Sequence, residues 1–188
     1  MPNNYIDTQL LDKAIIFAVN AHHNTERRGK GFPYIVHPLE VVEIVATITN
    51  DQELLAAAAL HDTVEDTDVT IKQIQNEFGA RVAQIVSAES DNTSENEPQD
   101  WYSRKCKALD TLRNSSTDVK IVALADKLSN MRAIARDYQL KGDELWNIFH
   151  EKDKKMHEWR FRELAKALEE LSHTFPYQEF ISLINKVF

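Results

Sequence analysis

The sequence predicts an all-α fold, and three observations carry that prediction. Apolar residues recur at spacings of three and four along most of the chain. Only four Gly and five Pro occur in 188 residues, which favours long helices over turn-rich sheets. No stretch alternates apolar and polar residues between turn signals, as a half-buried strand would. A length of 188 residues fits one domain, so we expect a single helical domain over 1–188, with a motif-bearing core at about 8–140 and a helical extension at about 141–188.

The first helix is expected from near Thr8 to about His23, with Leu11, Ile15, Phe17, Ala18 and Val19 on a broad apolar face. Arg27 to Pro33 carries Gly29 and Gly31 and reads as a loop. Pro38 suits the first turn of a helix reaching about Thr49. Asp51 is placed to N-cap the next helix, whose run of alanines before Leu60 allows close packing and a central position. Thr70 and Gln73 form a capping box for a helix ending at Phe78, with Gly79 as its C-cap. A helix follows over about Ala80 to Ala88. Ser87 to Asp100 is polar and acidic and is expected to be a mobile loop. Helical patterns resume over Trp101–Leu112, over Thr117 or Asp118 to about Tyr138, and over Asp143–Phe149, Lys152–Ser172 and Tyr177–Lys186.

A formal net charge of −8 argues against a nucleic-acid backbone as partner, because that needs a basic footprint. A small phosphorylated ligand needs only a local cationic cluster, which Arg27, Arg28 and Lys30 supply. Cys106 is the only cysteine, so no internal disulfide forms and a reducing compartment is the simpler expectation. The first twelve residues lack a basic stretch followed by an apolar run, and the longest apolar run, Leu54 to Leu60, is too short for a membrane span. We therefore expect a soluble, cytoplasmic protein with no membrane partner. The sequence leaves its oligomeric state open.

The chemistry centres on His61-Asp62-Thr63-Val64-Glu65-Asp66 at the end of an apolar helix. Residues four apart share a helix face, so His61 aligns with Glu65 and Asp62 with Asp66. Carboxylates repel one another, and a helix C-terminus disfavours negative charge by about 0.3–1 kcal/mol per group. A divalent cation would offset both costs. The plainer alternative is a solvated acidic turn, with His61 satisfied by a backbone carbonyl. His37 lies immediately before Pro38, where a side chain can point out of a helix end. Asp126 interrupts the apolar run Ile121 to Ala125 and needs a partner there, either a metal or a cation such as Lys127. Two His and two Asp give a mixed nitrogen and oxygen set that suits Mn²⁺ or Fe²⁺ better than a thiolate metal. Asn130 stands one turn beyond Asp126 on the same face. His22 and His23 end the first helix, where imidazoles suit the helix dipole. For Lys152, Lys154, Lys155, His157, Trp159 and Arg160, a solvated helix face is a simpler reading than a phosphate-facing wall.

Arg27-Arg28, Pro33 to Leu39, Ala56 to Thr67, Phe78-Gly79 and Leu124 to Arg132 together resemble the hydrolase domain of RelA/SpoT proteins, within the HD-domain superfamily, and more narrowly a stand-alone small alarmone hydrolase. The resemblance implies hydrolysis of the 3′-pyrophosphate of (p)ppGpp, giving GDP or GTP and pyrophosphate, with bound Mn²⁺. It implies His37, His61, Asp62 and Asp126 as metal ligands and Glu65 and Asp66 as the pair handling water and protons. Arg27, Arg28, Tyr34, Lys127 and Asn130 match substrate-contacting positions. The family often has Gly-Gln where this chain has Asn24-Thr25, and a Val-Thr-Asp run where it has Val86-Ser87-Ala88. Two other readings accordingly stay open: another nucleotide substrate such as NADPH or (p)ppApp, and a catalytically inactive nucleotide-binding module.

Overall fold

Seven consecutive residues, Leu54 to Leu60, are buried in the third helix, α3 (Gln52–Leu60). Four of them are alanines, so neighbouring helices approach it from several sides. The computed structural model describes residues 7–90 and 100–188, which fall into two compact units divided between Ser90 and Asp91. In the first unit α3 packs against α1 (Gln9–Ala21), α2 (Val36–Ala46) and α6 (Ala80–Glu89). A single turn, α4 (Thr63–Asp66), and α5 (Ile71–Phe78) lie between α3 and α6. Among the described residues the only β pairing is an isolated bridge between Glu26 and Pro33, so the all-α prediction holds.

The caps behave as the sequence predicts. Thr70 accepts from the Gln73 amide while the Gln73 side chain accepts from the Thr70 amide, and Gly79 terminates α5 at φ +93°. Asp51 accepts from the amides of Glu53 and Leu54 and also pairs with Arg81 at 2.8 Å. Burial pushes the Asp51 carboxyl up, but Arg81 and the two amides outweigh it and hold the group below its ordinary value. Its folded value is therefore depressed, so its stabilisation is present above the unfolded value of 3.8 and is lost as pH falls through the lower, folded value. Asp51→Ala is expected to cost about 1 kcal/mol near neutrality. The difference in thermal midpoint between parent and variant should shrink in acid below about pH 4.

The second unit is built on α8 (Thr117–Lys141), a 25-residue helix that packs against α10 (Phe175–Val187). Before it comes α7 (Trp101–Arg113), capped by Asp100, which packs on α9 (Lys154–Ala167). Several expected boundaries shift. The second helix starts at Val36 and ends at Ala46, because the Thr47 hydroxyl bonds back to the Ile44 carbonyl at 2.6 Å and loosens the last turn. Ser87 and Ala88, where the expected helix and the expected loop overlap, belong to α6 together with Glu89, expected in the loop alone, and Asp100 is a helix cap. The rest of that expected loop, 91–99, lies outside the described residues. The long helix runs on to Lys141 and stops where Gly142 adopts φ +56°. The following segment, Gly142–Ile148, is 3₁₀ rather than α. The single helix expected over Lys152–Ser172 is α9 plus a 3₁₀ turn at Glu169–Leu171, because Asp153 caps it late and Leu168 leaves helical geometry. No described helix is long and apolar enough to cross a membrane.

Candidate metal centre

The chain leaves α3 through two residues, His61 and Asp62, before α4 begins. Thr63 stabilises this exit by donating its hydroxyl to the Leu60 carbonyl at 2.7 Å, and Thr67 does the same to the Thr63 carbonyl at 2.6 Å. His61 is almost fully buried, and its Nδ1 donates to the Ala58 carbonyl at 2.9 Å. That bond fixes the tautomer, because a carbonyl only accepts. In neutral His61 the Nε2 lone pair then faces Asp62 Oδ2 at 3.0 Å. His37, the second residue of α2 and also buried, brings its Nε2 to 3.3 Å from the same oxygen.

Two lone pairs at such a separation repel unless a cation lies between them. The spacing also fits a shared ion. Donor atoms bound about 2.1 Å from one ion and at right angles stand about 3.0 Å apart. An imidazole whose other nitrogen donates to a backbone carbonyl is the usual arrangement of a metal-ligating histidine. The carbonyl bond that the plainer reading of His61 expects is formed, and it leaves the other ring nitrogen facing Asp62.

Tyr34 adds a third group to this oxygen, donating its hydroxyl to Asp62 Oδ2 at 2.6 Å. Burial first, then the Asp62 carboxylate, pushes the Tyr34 phenol far above its ordinary value, so the hydroxyl stays protonated and remains a donor. The Arg27 guanidinium lies 5.2 Å from the centre of the Tyr34 ring, within cation–π range. The loop that carries Arg27 closes through the Arg27 amide on the Phe32 carbonyl, at 3.0 Å, and through the Gly31 amide on Glu26 Oε1, at 2.9 Å. Arg28 is exposed beside it.

Glu65 and Asp66 are exposed on α4. The Asp66 amide donates to the Asp62 carbonyl at 2.9 Å, so Asp66 is tied through one backbone turn to the residue facing the histidines. Asp66 also lines an open cleft of about 470 Å³ with Ala21, Thr25, Thr67, Asp68, Val69 and Gln73.

In the second unit, Asp126 is buried within α8. Lys127 Nζ lies 2.5 Å from its Oδ2, and Asn130 Nδ2 lies 2.6 Å from its Oδ1. The sequence allowed Lys127 as the partner of Asp126, and that contact forms. Asn130 occupies the second oxygen, as its one-turn spacing permits.

His22 differs from its sequence reading. It caps α1 but is 3% exposed, with its ring 4.7 Å from that of Tyr34. It therefore faces the interior instead of serving the helix dipole at the surface. Burial holds its imidazole below the ordinary value, with Asp62 and Asp66 pulling the other way. Its position at a helix end concealed this, because the contact is with a residue beyond a loop. His157 is likewise buried, bonding the Glu151 carbonyl at 2.8 Å, so it belongs to neither a solvated face nor a phosphate-facing wall.

Residues 14–151 match the HD domain family. Over 137 residues the chain is 38% identical to the Danio rerio protein named guanosine-3′,5′-bis(diphosphate) 3′-pyrophosphohydrolase MESH1, a match covering 71% of this chain and 73% of that protein. Longer relatives match over a small part of their length. RSH1 of Oryza sativa subsp. japonica is 39% identical over 129 residues, 63% of this chain and 14% of that protein. The GTP pyrophosphokinase rsh of Brucella ovis is 35% identical over 135 residues, 69% of this chain and 17% of that protein. The fold is shared with a solved metazoan ortholog of SpoT, described as hydrolyzing ppGpp, at a TM-score of 0.78 and 22% identity over 98% of this chain and 99% of that one. It is also shared with lmo0812 from Listeria monocytogenes EGD-e, at a TM-score of 0.71 and 26% identity over 81% of this chain and 98% of that one.

Proposed function

This chain belongs to the HD domain family, and from that premise we propose that it is a metal-dependent hydrolase removing the 3′-pyrophosphate of (p)ppGpp to give GDP or GTP and pyrophosphate. The observation that carries the substrate is the match to MESH1 over most of that protein's length. The convergence of His37, His61 and Tyr34 on one oxygen of Asp62 supports the metal dependence independently of any relative.

His37, His61 and Asp62 are the proposed ligands from the first unit. Asp126 is proposed as the fourth. Its burial within an apolar run supports this, and a carboxylate oxygen accepts more than one contact, so its bonds to Lys127 and Asn130 are compatible with the role. Mn²⁺ is the ion we propose, since a mixed imidazole and carboxylate set without thiolate suits it. When bound, such an ion would bring the pKa of water down to roughly 7 and polarise a phosphoryl oxygen.

The remaining steps fall to the protein's own groups. Glu65 or Asp66 accepts the proton of the attacking water, and both are exposed where water reaches them. Arg27 and Arg28, on their loop, offset phosphate charge. An ammonium has three donors and an amide two, so Lys127 and Asn130 can hold Asp126 and still contact nucleotide. The test is to incubate the purified chain with ppGpp and Mn²⁺ and follow pyrophosphate, with NADPH and ppApp in parallel. Pyrophosphate release from ppGpp is the expected result. Folded, metal-loaded protein that releases none would overturn the substrate assignment.

A further inference from the structure

His22 is buried, and neither of its ring nitrogens has a hydrogen-bond partner among the described residues. What the side chain contributes is therefore its ring surface, which lies against Tyr34 at a centroid distance of 4.7 Å and a tilt of 34°. Tyr34 is held at its backbone, where its amide donates to the Thr25 carbonyl at 2.8 Å. At its far end the hydroxyl meets Asp62 Oδ2 at 2.6 Å. That oxygen is the one 3.0 Å from His61 Nε2 and 3.3 Å from His37 Nε2.

We propose that Tyr34 and His22 are positioning residues for the Asp62 carboxylate. The Tyr34 hydroxyl sets the rotation of the carboxylate, and the His22 ring sets the rotation of Tyr34, so that Oδ2 stays turned toward both imidazoles. The inference rests on Asp62 being a metal ligand. It revises the role that the family resemblance implies for Tyr34, from touching substrate to orienting a ligand. A carboxylate attached by two rotatable bonds spends part of its time turned away from a site, and a short hydrogen bond to the ligating oxygen removes that freedom. Loss of such an outer hydrogen bond typically weakens metal binding by about 10–100-fold.

The experiment is calorimetric titration of the full chain with Mn²⁺ alone, beside circular dichroism and kinetics. Tyr34→Phe keeps the ring and removes the hydroxyl. It should weaken Mn²⁺ binding by about 10–100-fold while the far-UV spectrum and the metal-free thermal midpoint stay near those of the parent. His22→Ala should weaken it several-fold, and His22→Phe, which restores a ring, should recover most of that loss. If Tyr34→Phe binds Mn²⁺ as tightly as the parent, the inference falls and the metal reading stands. A raised KM with unchanged Mn²⁺ affinity would likewise return Tyr34 to substrate contact. A His22→Phe variant as impaired as His22→Ala would remove the ring-packing role. A parent chain that binds no Mn²⁺ would overturn both the metal reading and this inference.

Discussion

Asp62→Ala is expected to abolish Mn²⁺ binding and to lower pyrophosphate release by about 10³-fold or more, the scale of losing several kcal/mol of charge stabilisation. The reason lies in where the carboxylate sits. Its Oδ2 is the atom on which two buried imidazoles and a phenol converge, so removing it leaves those three groups facing one another with no anion among them. Alanine also removes the Asp62 acceptor of the Tyr34 hydroxyl, a hydrogen bond to a charged group worth about 1.5–3 kcal/mol. Asp62→Asn separates the two effects. Its amide oxygen still accepts from Tyr34 but is neutral and a poor metal ligand. We expect Asp62→Asn to unfold close to the parental temperature without metal, to gain nothing from added Mn²⁺, and to be as inactive as Asp62→Ala. An asparagine variant that keeps parental Mn²⁺ affinity in calorimetry would remove Asp62 from the ligand set.

Most of the helices are legible because their signals are local. Thr70 and Gln73 reveal a cap within four residues, and Asp51 reveals another within three. The alanines before Leu60 mark α3 as central because small side chains permit close approach on every face. The ends of helices are less legible. Thr47 loosens α2 by bonding its own backbone, and Gly142 terminates α8 three residues later than the apolar pattern suggests. The site divides along the same line. His61 and Asp62 are adjacent and Asp66 lies one turn beyond Asp62, so spacing alone brings these three near one another. Tyr34 is 28 residues from Asp62, and no periodicity announces that its hydroxyl meets that carboxylate. His22 was hidden for the same reason. Its value comes from a loop that returns the chain, through the Tyr34 amide and the Thr25 carbonyl, to lay an aromatic ring against it.

The second large effect is expected at Glu65 and Asp66, and it should differ in kind from that at Asp62. Replacing the residue that takes the proton from water should lower kcat by about 10²–10⁴-fold, the usual worth of a positioned general base. Affinity for Mn²⁺ should stay within about threefold, because neither side chain belongs to the proposed ligand set. Asp66→Asn is the variant in which we expect the larger loss. Its amide is fixed to the Asp62 carbonyl at 2.9 Å, which holds it in register with the ligating turn, and its side chain opens onto the cleft beside Thr25 and Gln73. Glu65→Gln tests the neighbouring acid. The double variant then decides whether the two act together. Groups that serve a single proton transfer are strongly non-additive, so the double variant should fall little below the worse single one. Losses that instead multiply would mean that each acid acts in a separate step. If both single variants kept parental kcat, proton transfer would lie with another group and the mechanism proposed for α4 would fail.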